Sequence, residues 1–404
     1  MIEPINLPVK TTGDSLTAAE FNEVVTKANA AIAQLNEVSS TDASFYRKGW
    51  PVMTFPEANE IKLLVSDSKT WPIAVSVDTS ETGNWFINWG DGSPAEEHSG
   101  EDVAEHAYEY GEGHDTGYGY TVFVARIYVQ GETVITGISF EVPTIIETAE
   151  YNGISGFSPV VAALFNTPDL TVIRTNGVSS MLEYLKTGDL KLAASGHAAN
   201  DQYLNNFTSW LYPVIKYIEF GNLPNLTDGY QLFGNPSIRF LKIGEMPQLT
   251  NAINMFQEIS CAPQIGNMPS LEVDGMMFAY SQLRNLTIDF VSPSQFIQIS
   301  GMLYGLPLLE SVVIPYTCKE LYLNECRSLR DLTINMGGFN GGSVINISYC
   351  CFSAARLDQL FTQLPDLTGL TAGTITIYGN PGVADCNPAI ATAKNWTVIS
   401  TQPD

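Results

Sequence analysis

Residues 215–224 read IKYIEFGNLP and residues 238–247 read IRFLKIGEMP, so one pattern returns after 23 residues. In both stretches apolar side chains stand at the first, fourth and sixth positions, and a Gly-x-x-Pro sequence follows. The same apolar spacing returns at 283–288, 309–314 and 329–334. A repeat of about 22 residues cannot bury its own apolar face, so neighbouring repeats must stack. The sequence therefore predicts a solenoid whose short strands form one parallel sheet on its concave side.

Two further markers recur at intervals of 23 and 22 residues along this region. They are Gly221, Gly244 and Gly266, and Phe233, Phe256 and Phe278. Residues 261–266 are interpreted as a truncated repeat, and residues 318–326 (CKELYLNEC) as an extra short one. The pattern resembles the irregular, BspA-like branch of the leucine-rich-repeat family, which is frequent in Bacteroidetes surface proteins and their phages. The resemblance implies a leucine-rich-repeat solenoid over residues 143–404.

The end of the chain is predicted to close the stack as a C-terminal cap. Ser353 is suited to begin a helix, because its hydroxyl can accept a hydrogen bond from a backbone amide of the first turn. One face of that helix would be apolar, formed by Leu357, Leu360, Phe361 and Leu364. The stretch TITIYG, a second helix near 388–394 and the stretch WTVIS would complete the cap.

The residue after the first apolar position of each strand pattern is expected to point out of the core. These residues are Lys216, Arg239, Arg284, Glu310 and Arg330, so four of the five are cations in a chain with 43 acids and 19 bases. One interpretation is that the cations pair with neighbouring acids on a solvated face. The other is a cationic surface that binds an acidic glycan or protein, with aromatic side chains beside the cations. This predicted ligand-binding set comprises Lys216, Tyr217, Arg239, Phe240, Arg284, Tyr322 and Arg330.

Upstream of the repeats, alternating apolar residues predict strands over 61–66, 73–78, 85–90, 120–129 and 133–140. The third runs into Trp89-Gly-Asp-Gly-Ser93, followed later by His106-Ala-Tyr108 and Tyr120-Thr-Val122. These three motifs resemble those of the PKD family of immunoglobulin-like β-sandwiches. The resemblance implies a sandwich spacer over residues 51–142, in which Trp89, Asp91, His106 and Tyr108 form a packed turn and its lid. His98, His106 and His114 are not expected to bind a metal, since a spacing of eight shares no helical face.

The first 50 residues are predicted to be an extended arm and one amphipathic helix over 17–38. Thr17 and Glu20 fit a capping box. The apolar residues that follow are spaced as a heptad seam, namely Phe21, Val25, Ala28, Ile32 and Leu35. Such a seam is expected to pack either on its own domain or in a short coiled coil of three chains. The GDSL sequence at 13–16 is not read as a serine hydrolase motif, because no His stands three residues after an Asp to activate Ser15.

Composition narrows the choice of function. A formal charge of −24 disfavours nucleic-acid binding, because acids repel phosphate. No uncharged apolar stretch is long enough to span a membrane, and the first ten residues do not resemble a signal peptide. All six cysteines lie between 261 and 386 without metal-ligand spacing. We interpret them as reduced core residues of a protein that folds in a reducing cytoplasm, with no cofactor and no metal.

The predicted order is an arm, a helix, a sandwich and then the repeats. A fibre protein has this order when it attaches by one end, uses a middle domain as a spacer and displays a domain at the other end. The stretch LPVKTTGDSLTAAEFNEVVTKANAAIAQLN also resembles an N-terminal segment of structural proteins from Bacteroides-infecting, crAss-like phages. This resemblance implies a non-enzymatic virion protein, a head or tail fibre assembled in the host cytoplasm. A homotrimer would bind other virion proteins through residues 1–50 and display the repeats to a host-surface glycan or protein. The alternatives are a bacterial cell-surface adhesin and a glycan-cleaving tailspike.

Overall fold

The computed structural model describes residues 46–402 except 68–71, 81–82, 101, 110, 142–156, 176–178, 181, 193–214, 235, 273–274, 289–297, 300 and 304. The described chain is mainly β, as predicted. Its first twelve strands are β1 Glu60–Ser66, β2 Ile73–Thr79, β3 Asn84–Asn88, β4 Glu96–Ser99, β5 Val103–His106, β6 His114–Asp115, β7 Thr121–Val129, β8 Ile135–Phe140, β9 Phe157–Ser158, β10 Val160–Asn166, β11 Val172–Thr175 and β12 Ser179–Ser180.

Strands in the second half are shorter. They are β13 Tyr184–Thr187, β14 Tyr217–Phe220, β15 Phe240–Ile243, β16 Gln264–Ile265, β17 Asn285–Thr287, β18 Gln298–Ile299, β19 Ser311–Thr317, β20 Glu320–Tyr322, β21 Asp331–Asn335, β22 Val344–Asn346, β23 Gly373–Thr376 and β24 Trp396–Ile399. The helices are a 3-10 helix at Met336–Gly338, α1 at Ala354–Gln363 and α2 at Ala389–Thr392. The predicted helix over 17–38 and its seam lie outside the described residues.

One sheet, here sheet A, runs from the strands β1–β12, here called the N-terminal β-region, into the repeats. Its order is β16-β15-β14-β13-β10-β1-β7-β3-β4, and β6 also pairs with β7. The strand pairing of sheet A changes from antiparallel to parallel at β10, which is antiparallel to β1 and parallel to β13. Residues 51–404 accordingly form one compact unit.

A second sheet, sheet B, has the order β11-β8-β2-β5. Alternating residues of the two sheets enter one core, to which β1 contributes Ile61 and Leu63 and β2 contributes Val75 and Val77. All four side chains are fully buried. This core continues without interruption into the repeats, so the N-terminal β-region closes the first end of the solenoid.

The five predicted repeat strands all form, as β14, β15, β17, β19 and β21, and every repeat pairing is parallel. The prediction of a single sheet is wrong. Sheet A ends at β16, sheet C has the order β17-β19-β21, and sheet D has the order β18-β20-β22-β23-β24. Residues 318–326 are therefore no extra repeat, because β19 pairs directly with β21 while β20 belongs to sheet D. The later repeats carry strands on two sides.

The Gly and Phe markers both have a steric cause. A Cβ atom on Gly266 would lie 2.4 Å from the backbone carbon of Gly244, and one on Gly244 would lie 2.8 Å from that of Gly221. Only glycine permits this approach of successive repeats. On another side of the repeats, the rings of Phe233, Phe256 and Phe278 stack at 5.8 and 5.2 Å and are buried.

The predicted C-terminal elements form where expected. The Ser353 hydroxyl accepts from the Arg356 amide to begin α1, and Leu357, Leu360, Phe361 and Leu364 are buried. At its other end the Lys394 ammonium donates to the carbonyls of Thr362 and Leu364 at 2.5 and 2.8 Å. These bonds satisfy carbonyls that a helix end leaves unpaired. TITIYG and WTVIS supply β23 and β24, which extend sheet D.

Candidate ligand-binding surface

The predicted surface cations are exposed, and three of them have carboxylate partners. The Lys216 ammonium lies 3.0 Å from Glu183, and the Arg284 guanidinium lies 2.6 Å from Glu310. Arg330 contacts the other oxygen of Glu310. These are the contacts expected from the ion-pair interpretation, and the role of the same side chains towards an acidic ligand stays a prediction.

Arg239 differs from the other three predicted cations. Its guanidinium donates to the backbone carbonyls of Pro236 and Ile238, at 2.6 and 3.3 Å. No carboxylate partner for Arg239 occurs among the residues that the structure describes. Because carbonyl oxygens leave the positive charge uncompensated, Arg239 is the cation of this set best able to attract an anion.

Glu219, which the sequence reasoning did not single out, is the centre of a charged cluster on sheet A. Its carboxylate lies 2.7 Å from Lys242 and 3.1 Å from Lys186, and it accepts a 2.6 Å hydrogen bond from the Tyr217 hydroxyl. Burial alone would raise the pKa of Glu219, but these three donors bring it below its ordinary value. The cluster therefore keeps Glu219 ionised between two strands.

The predicted aromatic contacts are partly inside the protein. Tyr184, Tyr217 and Phe240 stack along sheet A, with ring centroids 4.4 and 4.6 Å apart. Tyr217 is only 1% exposed, since its neighbours cover both ring faces, and so it belongs to the core rather than to a ligand surface. Phe240 is half-buried. Tyr322 lies in β20 of sheet D, so the predicted residues do not all share one sheet.

The Trp89–Ser93 turn is packed as its sequence predicts. Trp89 is fully buried and its backbone carbonyl accepts a 2.8 Å hydrogen bond from Tyr108. His106 stacks on the indole at 4.8 Å, and its Nε2 lies 2.9 Å from Asp91. Burial alone would raise the pKa of Asp91, but bonds from Ser93 and the charge of His106 lower it. These residues hold each other in place.

Cys326, Cys350 and Asn380 form a ladder of hydrogen bonds behind sheet D, a role that the sequence reasoning did not assign to them. The Cys326 thiol donates to the Leu303 carbonyl at 3.4 Å, and the Cys350 thiol donates to the Leu323 carbonyl at 3.1 Å. Asn380 donates to the Ile347 and Ile377 carbonyls at 2.7 and 2.8 Å. The sequence does contain a pattern that these residues share. It is apolar-x-apolar-x-x-Cys/Asn, with its last residue at 326, 350 and 380.

The six cysteines are free thiols, and Cys318, Cys326 and Cys350 are buried as interpreted from the sequence. For Cys351 the core interpretation is wrong, because its side chain is exposed. Within the described ranges, no three His, Cys, Asp or Glu side chains are placed to bind a metal ion. The helices in those ranges include none with the length and apolarity to cross a bilayer. Comparison with protein-family models, curated proteins and solved structures finds no match to this chain.

Proposed function

We propose that this chain is a non-enzymatic virion structural protein, a head or tail fibre that attaches by residues 1–50 and displays its repeats. The observation that carries the proposal is the continuity of sheet A between the N-terminal β-region and the repeats. A continuous sheet and core make one stiff body, which suits a protein that holds a surface away from its attachment point.

Two finer assignments belong to the same proposal. The packed turn around Trp89, Asp91, His106 and Tyr108 supports a PKD-like, immunoglobulin-like sandwich over 51–142. The ladder of Cys326, Cys350 and Asn380 supports an irregular leucine-rich repeat over 143–404, since that family places Asn or Cys at this position.

The fibre proposal is tested first by the solution mass of the full chain, measured by light scattering. We expect a trimer that becomes a monomer when Val25→Asp and Ile32→Asp place charges in the heptad seam. Asn29→Asp, in the same predicted helix but beside the seam, is the matched control and should leave the trimer intact. A monomeric parent chain would contradict self-assembly through this seam.

The place of the protein in a particle is tested separately. Mass spectrometry of gradient-purified virions should detect peptides of this chain at a constant ratio to the major capsid protein. An abundant cytoplasmic protein of the infected cell serves as the contamination control. Recovery of the chain only in the soluble fraction would contradict the assignment.

Ligand binding by the cationic surface is a further part of the proposal, with an acidic glycan as the ligand class. Polygalacturonate and heparin are suitable probes. Arg239→Glu and Arg284→Glu should each weaken binding, while Arg327→Glu, an exposed cation outside the predicted set, should have little effect. Equal losses from all three changes would indicate only general electrostatic attraction.

A further inference from the structure

Sheet A and sheet C are separated by an open slot of about 340 Å³ on the strand side of the repeats. Its walls are Ala262–Ile265, which includes β16, and Asn285–Thr287, which is β17. The two strands belong to successive repeats, which elsewhere in sheet A and sheet C pair directly. The slot therefore stands where one strand pairing is missing.

Pro263 explains why the pairing is missing. Successive repeats place Leu241, Pro263 and Leu286 at the same position, since Ile243 pairs with Ile265 and Ile288 ends the next pattern. A proline has no N–H to donate and is therefore found at sheet edges rather than inside a sheet. At this position it ends sheet A.

The hydrogen-bond register shows which backbone groups face the slot from the first wall. The Gly266 amide donates to the Ile243 carbonyl at 2.8 Å, so Gln264 and Gly266 face β15. Backbone groups alternate in direction along a parallel strand. The Pro263 carbonyl and both backbone groups of Ile265 therefore face the slot, and they have no hydrogen-bond partner within the described chain.

The second wall is complementary. The Ile288 amide donates to the Val313 carbonyl at 2.9 Å, and the Ser311 amide donates to the Arg284 carbonyl at 3.1 Å. Residues 284, 286 and 288 therefore face β19, and the backbone groups of Asn285 and Thr287 face the slot, unpaired within the part of the chain described. Leu286 is buried at the base, while Asn285 and Thr287 are exposed at the rim.

The same two repeats stay in contact away from the slot. Just before the two strands the Gln282 amide donates to the Ile259 carbonyl at 2.9 Å, and on another side of the repeats the Phe256 and Phe278 rings stack at 5.2 Å. The slot is therefore a wedge that opens at one side of a continuous core, rather than a gap between separate domains.

We propose that this slot binds an extended peptide segment that inserts as a strand between β16 and β17. Donors and acceptors of the main chain line both walls, and an extended peptide is the ligand whose own N–H and C=O groups alternate to meet both. The rim presents amide and hydroxyl side chains without a net charge, which favours recognition of backbone over recognition of an ionic group. The segment would join sheets A and C into one.

The test is binding of a labelled peptide to the full-length protein, measured by fluorescence anisotropy. The probe is residues 238–244 as an acetylated and amidated peptide, IRFLKIG, because this strand already pairs in sheet A. We expect Ile265→Pro, which removes an amide from the slot wall, to weaken binding about tenfold. Pro263→Val restores the missing donor and should close the slot by pairing β16 with β17, with loss of binding.

Controls separate backbone pairing from apolar adhesion. Pro247→Val makes the same change at an exposed proline away from the slot and should bind the peptide as the parent does. A peptide N-methylated at alternate residues keeps its side chains but loses donors, and it should not bind. Hydrogen exchange at Ile265 and Thr287 should slow when peptide is added to the parent protein.

Three outcomes would overturn the proposal. They are equal binding by the N-methylated peptide, indifference of binding to Pro263→Val and Ile265→Pro, and no exchange protection at about 1 mM peptide, the weak end of specific association. Occupancy by a neutral oligosaccharide such as maltoheptaose, with no peptide protection, would assign the slot to another ligand class and would also reject it.

Discussion

The repeats before the slot and those after it pack on their neighbours through different kinds of residue. Between residues 215 and 281 the described strands all belong to sheet A, and the repeats approach each other through Gly221, Gly244 and Gly266 and stack Phe233, Phe256 and Phe278. After residue 283 they carry strands on two sides, in sheets C and D. There, Cys326, Cys350 and Asn380 satisfy interior carbonyls.

The difference shows that the period of a solenoid does not decide its cross-section. Where glycine permits close approach, backbone hydrogen bonds and ring stacking hold the turns together. Where a second strand is added, polar side chains inside the turn replace part of that packing. The two halves should therefore respond differently to mutation.

The largest effect is expected in the aromatic stack of the first half. Phe256→Ala would remove the central ring, which contacts Phe233 and Phe278, and should lower the free energy of unfolding by about 3–5 kcal/mol. Urea denaturation measures the change. Leu370→Ala, at a 56% exposed side chain, is the control and should cost less than about 0.5 kcal/mol. Equal costs would show that the stack does not stabilise these repeats.

Substitution of a glycine at a contact between repeats should give the next largest loss of stability. In Gly266→Ala the new methyl would lie 2.4 Å from backbone atoms of Gly244, so the repeats must separate, at a cost of up to about 3 kcal/mol. Gly275→Ala is matched in chemistry, but its nearest neighbour is a side-chain carbon of Ile253 at 3.7 Å. Thermal melts should show the loss for Gly266→Ala alone. Similar melts for both variants would refute the steric explanation.

In the second half the ladder should depend on Asn380 more than on its cysteines. Asn380→Ala leaves two carbonyls and the Phe352 amide without their partner, and we expect a cost of about 2 kcal/mol. Cys350→Ala removes one weak thiol donor and should cost about 1 kcal/mol or less. Denaturant unfolding of both variants tests the ranking, and a reversed order would contradict it.

The smallest expected effect is on how the stability of the folded state depends on alkaline pH. Burial raises the pKa of the Cys326 thiol to about 12, whereas an unfolded thiol has a pKa of about 8.5. The folded state then keeps a proton that the unfolded state loses, so stability falls as pH rises above about 8.5, by about 1.4 kcal/mol per pH unit for this thiol.

Cys326→Ala should make the loss of stability between about pH 8 and about pH 9.5 less steep. Leu370→Ala, at an exposed side chain without a titratable group, should leave the slope as it is. The comparison is made by urea unfolding at each pH. A slope that Cys326→Ala does not change would show that this thiol is not protected in the folded state.

Local spacing was enough to predict much of the repeat region. The first, fourth and sixth apolar positions gave β14, β15, β17, β19 and β21 at the right residues, and Ser353 with its apolar face gave α1. These elements depend on neighbours in the chain, which is why their pattern is readable.

Pairing between strands that are distant in the chain could not be predicted from local spacing. Nothing near β1 or β10 indicates that they pair across about a hundred residues to continue sheet A. The division into sheets depends on Pro263, whose missing N–H was visible in the sequence but whose place in a truncated repeat was not weighed. The acidic partners Glu183 and Glu219 were also missed, and Glu310 was named without its partners Arg284 and Arg330, since ion pairs between repeats join residues 20 to 33 positions apart.

The equivalence of Gly244 and Gly266 has a consequence for how such a gene can change. Recombination that joins the codon of Gly244 to that of Asn267 would delete one repeat in frame and keep a glycine at the contact. Pro263 would be deleted with it, which would bring β15 beside β17 and merge two sheets. A single unequal crossover could thus shorten the protein by one repeat and erase the slot, while the repeats on either side keep their own sequences.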